Sequence, residues 1–330
     1  MHQVSGLDRA KTIPSDEGIR KSEKKTVKQF LISHIRCLAT EILNLLFNYN
    51  WVFWLIGLIN KKISLIESVF LVYPANENYI SAYAYHYRSR WHEWKPGPIG
   101  IFWQNGKLGI KFAISAHNGQ FRNPENKEKL RRVVLRMEEI RKFLYAKRKT
   151  FAGILPGILF TMRMIREVYE AEVTVKVVKQ VMEKIRLLEG LKQDTPIIIL
   201  GGRGFVGRKL VAALSAYNIF SVDIAGGRGK YDWPSHLFGK PVLLVNISLN
   251  SVITDYLDLL WSKVVVINEV YPEPSKDTVR HLRKIGCHCY HIVGVDAKAL
   301  PSFPHGYQGG IPCCAAWPSE NMKALFLRVV

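Results

Sequence analysis

Three glycines, Gly202, Gly204 and Gly207, stand in "IIILGGRGFVGRKLVAAL" (197–214) at the spacing G-x-G-x-x-G. Glycine types at these intervals suit a chain that must wrap a phosphate. The first allows a sharp turn, the second lets backbone N–H groups approach a pyrophosphate, and the third lets the following helix pack closely on its strand. Arg203, Phe205 and Val206 fill the intervening positions. The helical pattern "FVGRKLVAAL" then offers its positive N-terminus to the anion. The alternative is a plain tight turn between a strand and a helix.

The surroundings favour the phosphate reading. An apolar run precedes the glycines, a helix follows, and a second strand, "IFSVDI", ends near Asp223, 21 residues beyond Gly202. A carboxylate there binds the ribose 2′-OH of an adenosine and repels a 2′-phosphate. The expected cofactor is therefore NAD(H). Arg228, in "GGRG", keeps NADP(H) open.

These residues need a sheet to hold them. "PVLLVNIS" (241–248) and "KVVVINEVY" (263–271) are apolar runs separated by the helical "SVITDYLDLLW". Such alternation predicts a doubly wound parallel sheet. Polar residues close both runs: Asn246 and Ser248, then Asn268, Glu269 and Tyr271. Ligands of open α/β sheets bind at the carboxyl ends of strands, so these residues are candidates for the nicotinamide pocket; loop-entry residues satisfying backbone groups are the alternative. Tyr271 and His305 are the titratable candidates for proton transfer.

Two thiol clusters carry other chemistry. Cys287, Cys289 and His291 alternate in "CHCYH", which puts three metal-binding types on one face of a strand. Structural zinc sites space their cysteines more widely, and the apolar flank "IVGV" predicts a buried strand, so no metal is expected. Cys313 and Cys314 stand where a last helix would begin, which would lower a thiol pKa; small packing residues are the alternative.

A chain of 330 residues predicts two domains. Residues 1–25 read as a disordered basic tail, 26–160 as an α+β domain, and 161–330 as the dinucleotide-binding domain. "IGIFWQNGKLGIKFAI" is a hairpin with Asn105-Gly106 at its turn. Tyr79, Tyr83, Tyr85 and Tyr87 suggest a further strand. Pro124 opens an expected helix to about Lys147, "FAGILPGIL" reads as a crossover loop, and a second helix is expected from about Thr161 to Glu189.

Residues 42–60, "ILNLLFNYNWVFWLIGLIN", contain no charge, and Lys61-Lys62 follow. Four Asn interrupt the stretch, so a membrane-surface or re-entrant segment is expected over full spanning, with a buried helix as the alternative. Formal net charge is +20, which suits an anionic membrane surface or a nucleic acid. No recognised RNA-binding module accompanies the aromatic and basic residues of 83–103, which argues against nucleic acid. The odd cysteine count of 5 and a polar first stretch suggest a reducing cytoplasmic setting, with membrane association left open.

The C-terminal half resembles the amino-acid-dehydrogenase-like group, especially shikimate dehydrogenases and long-chain acyl-carrier-protein reductases. The resemblance rests on "ILGGRGFVGRKLVAAL", "VLLVNIS", "VVVINEVYPEPSKDTVRHLRKIGC" and "GYQGGIPCCAAWPSENMKAL". It implies a Rossmann-type fold, a strand ending beside the nicotinamide before the Y-x-P turn, and a last helix returning over the cofactor. The asparagine-rich loop and Lys-Asp pair of the shikimate enzymes have no counterpart in residues 1–160. "IVGVDAKAL" lacks the acyl-holding cysteine of the reductases.

The resulting expectation is an α/β protein with a C-terminal doubly wound parallel sheet and an N-terminal α+β domain. It would transfer a hydride between a nicotinamide cofactor and an unidentified carbonyl or acyl substrate. A non-catalytic dinucleotide-binding or membrane-associated sensor is the rival. Oligomeric state is left open.

Overall fold

The computed structural model describes residues 27–74, 80, 92–223, 232–248, 252–271, 273–303, 307 and 309–330. The expected tail, Arg228, His305 and the four tyrosines of 79–87 lie outside them.

Two helices open the described chain, α1 (Val27–Phe47) and α2 (Asn50–Ile63). The uncharged stretch 42–60 is thus broken: Tyr49 is extended, and the two arms meet at 84°. β1 (Ile66–Val72), β2 (Gly97–Gln104), β3 (Lys107–Ala113), the short α3 (Asn118–Phe121), α4 (Lys127–Phe143), β4 (Arg148–Phe151) and α5 (Leu155–Thr161) follow. The hairpin is as expected, with Asn105 at φ 47° and Gly106 at φ 74°, both signs that a type I′ turn requires.

Other boundaries differ from the sequence expectation. The helix read as 124–147 starts with a 3-10 turn at Pro124–Asn126 and ends at Phe143, because Tyr145 takes the left-handed conformation at φ 50°. β4 was invisible as a strand: only four residues long, two of them basic, it shows no alternation and is held by parallel pairing with β1. The glycine- and proline-punctuated "FAGILPGIL" is largely helical, with Pro156 in the first turn of α5, where its missing N–H is harmless.

The strands of this N-terminal unit pair in the order β3-β1-β4 and β2-β3, with β2 antiparallel to β3 and β1 parallel to both its neighbours. Leu130, Val133, Met137 and Ile140 of α4 pack with Val69, Leu71, Phe112 and Phe151 into one buried cluster.

Next come α6 (Tyr169–Leu188), β5 (Ile197–Leu200), α7 (Phe205–Ala213), β6 (Ile219–Val222), β7 (Val242–Asn246), the short α8 (Val252–Asp255), β8 (Val264–Asn268), α9 (Lys276–Ile285) and β9 (His288–Asp296). α6 starts eight residues later than expected and keeps its β-branched centre helical, since Val177, Val178 and Val181 are fully buried; packing overrides their modest propensity. β6-β5-β7-β8-β9 form a parallel sheet. Its strands are apolar runs because both faces are covered.

β10 (Lys298–Leu300), β11 (Gly310–Ile311) and β12 (Ala324–Arg328) complete the chain. β10 pairs with β2 and β11 with the end of β9. Among the described residues no last helix returns. Cys313–Ala315 is a 3-10 turn, and β12 pairs with β9 instead, Val329 N donating to Cys289 O at 2.7 Å. By internal contacts, 20–174 and 295–323 form one unit, and 175–294 with 324–330 the other. The division read from the sequence runs at 160/161.

The architecture is therefore α/β, with a Rossmann-like parallel sheet in one unit and a mixed sheet in the other.

Candidate functional site

β5 is fully buried, and the chain must leave it sharply to begin α7. The sharp turn belongs to Gly201, at φ 88°, rather than to Gly202 as the spacing suggested. Gly202 serves packing: a Cβ there would lie 2.1 Å from Ser221 Oγ on β6. Gly207 holds helix to strand, since its Cβ would lie 2.0 Å from Gly201 O and 2.8 Å from Gly202 Cα.

Gly204 is exposed, and a Cβ there would meet only the Gly201 carbonyl group, its oxygen at 3.0 Å. It is the N-cap of α7, and no side chain caps this helix. The first intrahelical bond runs from Arg208 N to Gly204 O, 3.0 Å. The Val206 and Gly207 amides precede it and have no intrahelical acceptor, as at any helix start. The result is an open, uncapped helix N-terminus with positive partial charge. Arg203 stands exposed beside it, its guanidinium 3.9 Å from Asp232; Phe205 and Val206 are half-buried.

The sheet brings further groups to this point. β5 is flanked by β6 on one side and β7 on the other, so strand order reverses there. Such a switch point opens a crevice outside the carboxyl ends. Asp223, 8% exposed, follows β6 directly, and Gly201 N donates to the neighbouring Val222 O at 2.9 Å. On the β7 side, a Cβ at Gly201 would lie 2.8 Å from Ser248 Cβ. Gly201, Gly202, Gly204, Asp223 and Ser248 therefore gather at the carboxyl ends of the strands around this switch point.

Register extends the polar rim across the sheet. Asn246, Asn268 and His291 are direct neighbours on β7, β8 and β9, and all three are buried. Asn246 Nδ2 donates to Asn268 Oδ1 (2.8 Å), and Asn246 Oδ1 accepts from Ser248 N (3.3 Å). Asn268 Nδ2 donates to Val270 O (2.7 Å) and meets His291 Nδ1 at 3.1 Å. Both its hydrogens being committed as donors, His291 Nδ1 must accept, which places the imidazole proton on Nε2. Burial holds the His291 pKa below its usual value, consistent with a neutral ring. Asn268→Leu is expected to cost about 2–4 kcal/mol, measured by denaturant midpoint, because it strands an Asn246 donor and a His291 acceptor in the interior.

Glu269 follows this row on β8, its N–H donating to Asn246 O at 3.0 Å. Burial pushes the carboxyl of half-buried Glu269 up to about 8, which favours the protonated form at neutral pH. Sequence reading named Glu269 for position alone; its protonation state depends on enclosure, which no motif signals. Tyr271 lies half-buried in the loop beyond β8.

The alternating face of "CHCYH" does form, but its members are otherwise occupied. Cys287 Sγ donates to Trp261 O, burial raises its thiol to about 11, and that of Cys289 rises to about 12. His291 belongs to the asparagine row. On the opposite face, His288 Nδ1 lies 2.6 Å from Glu189, which also accepts from Tyr290. Among the described residues no three His, Cys, Asp or Glu side chains gather as a metal site. Cys313 and Cys314 begin only a three-residue 3-10 turn, so the expected helix N-terminus is absent there.

No family model and no curated protein matches the chain. Among solved structures, it is similar to a shikimate dehydrogenase in complex with NADP+, with 12% identity and a TM-score of 0.40 over 69% of this chain and 85% of that one. It is also similar to L-tryptophan dehydrogenase from Nostoc punctiforme, with 14% identity and a TM-score of 0.31 over 68% of each.

Proposed function

We propose that the protein is an oxidoreductase that binds NAD(H) at the β5–α7 turn and reduces or oxidises a small carbonyl or acyl substrate. The observation that carries this reading is the division of labour among the glycines. Gly207 has no room for a side chain, whereas Gly204 is exposed at an uncapped helix start, where a Cβ would meet only the Gly201 carbonyl group. A merely structural turn needs the first feature and not the second.

The residues present fit a dinucleotide. The Val206 and Gly207 amides would hold the pyrophosphate, with Arg203 beside it. Asp223 would accept from the adenosine ribose hydroxyls, and Ser248, its N–H held by buried Asn246, would border the nicotinamide side. When bound, the nicotinamide supplies or accepts the hydride; the protein positions and excludes water. Protonated Glu269 would hold a proton at the carboxyl end of β8; Tyr271 and His305 are the candidates read from the sequence for that role.

NADH is expected to bind at least about tenfold more tightly than NADPH, since Asp223 would oppose a 2′-phosphate. Asp223→Ala is expected to shrink that preference, read by fluorescence titration. Tighter wild-type binding of NADPH would shift the emphasis to Arg228.

Glu269 makes a further, pH-dependent expectation. Its folded pKa lies above the ordinary carboxylate value, so the folded state holds more protons between about 4.5 and about 8. Stability contributed this way is present in acid and is lost as pH rises through that window. Glu170, pushed up to about 7 by burial while accepting from Phe151 N, acts with the same sign. Glu269→Gln is expected to flatten the upper part of the stability–pH curve, and Glu170→Gln only the part below about 7. An unchanged curve between 7 and 8 in Glu269→Gln would remove the protonated-acid assignment.

The activity test is NADH oxidation by purified full chain across a panel of aldehydes, ketones and acyl thioesters. Binding without turnover of any would favour the sensor reading.

A further inference from the structure

The outer surface of α1 and α2 has the reverse of the usual polarity. Leu45 is 69% exposed, Trp51 63% and Ile59 62%; Leu38, Ile42, Leu46, Trp54, Leu55 and Ile63 are exposed with them. Soluble proteins rarely leave so many large apolar side chains on adjoining elements.

The polar residues of the same stretch turn the other way. Asn44 Nδ2 donates to Thr40 O and Pro98 O, and Asn48 Nδ2 to Asn44 Oδ1 and Pro96 O. Asn60, 3% exposed, donates to Leu144 O at 2.9 Å and accepts from Ile66 N at 2.6 Å. Asn50 joins Arg136 and Glu139 of α4. Asn44, Asn48 and Asn60 thus turn their amide N–H groups to the protein itself, and Asn50 bonds to α4 at its surface.

We infer that this face seats in one leaflet of an anionic bilayer. A straight crossing is disfavoured: no single described helix is long and apolar enough, and the bent pair that has the length and composition turns through 84°. α2, with 14 residues, is about 21 Å long against a hydrocarbon core of about 30 Å. In-plane seating also matches Trp51 and Trp54, whose rings favour the headgroup boundary. Charge selects lipid over a second copy of the chain. α2 has no acidic residue, Lys61 and Lys62 stand in its last turn, and the whole chain carries +20. Two copies would bring like charges together, whereas an anionic leaflet offers opposite ones.

The test is flotation of the full chain with phosphatidylcholine vesicles, with and without about one third phosphatidylglycerol, at low and high salt. Expected is co-flotation with the anionic vesicles, reduced several-fold but not abolished by salt, since apolar seating resists screening. Leu55→Glu/Ile59→Glu, both on the exposed face, should lower partitioning at least about tenfold with unchanged circular dichroism. Quenching of tryptophan emission by brominated lipid should fall in Trp51→Phe/Trp54→Phe. A chain that stays at the bottom of the gradient at low salt overturns the inference. So does equal binding by the double-Glu variant, or a dimer in solution that this variant converts to monomers.

Discussion

Gly204→Val is expected to weaken NADH binding by at least about 100-fold while the protein stays folded. Gly204 sits at φ −67°, which any residue adopts, and its Cβ position meets only the Gly201 carbonyl group, with the oxygen at 3.0 Å. A few tenths of an ångström of movement relieves that contact. The branched methyls must then project into the open space before the Val206 and Gly207 amides, where the pyrophosphate would lie. Charge-assisted bonds of this kind contribute about 1.5–3 kcal/mol each, and losing about 2.7 kcal/mol is 100-fold. Valine is also a poor N-cap, so stability should fall by about 1 kcal/mol. Calorimetric titration and thermal melting of the same sample separate the two effects.

Gly207→Ala should do the opposite: damage the fold first. Its Cβ would sit 2.0 Å from Gly201 O and 2.8 Å from Gly202 Cα, and both are backbone atoms of a tight turn. No rotamer change relieves such a contact; α7 must move away from β5. Overpacking of this kind costs about 3 kcal/mol, roughly 9–15 °C in melting temperature for a unit of this size. A variant as stable as wild type would mean that the helix–strand spacing is looser than the structure has it.

The strands around the site were legible because burial on both faces writes them as apolar runs. "IIIL", "VLLVN" and "VVVIN" need no partner to be recognised, and the residues after them fell at the carboxyl ends as read. The glycine motif was legible in spacing but not in division of labour. Which glycine turns the chain depends on φ, and the turn fell to Gly201, one position outside the motif. The Asn246–Asn268–His291 row was not legible, since it depends on registers between strands far apart in sequence. His291 was read with the thiols beside it in sequence as part of a buried strand; its spatial partner proved to be an asparagine. β4 and the closing β12 were missed because both are short and take their conformation from a paired strand.

The most direct measurement is calorimetric titration of the full wild-type chain with NADH, and separately with ADP-ribose, which carries the pyrophosphate and adenosine ribose without the nicotinamide. Saturable one-to-one binding of both is expected, with both affinities lost in Gly204→Val. A folded wild-type protein that takes up neither ligand at millimolar concentration would contradict the phosphate-cradle assignment and leave the β5–α7 turn a purely structural one.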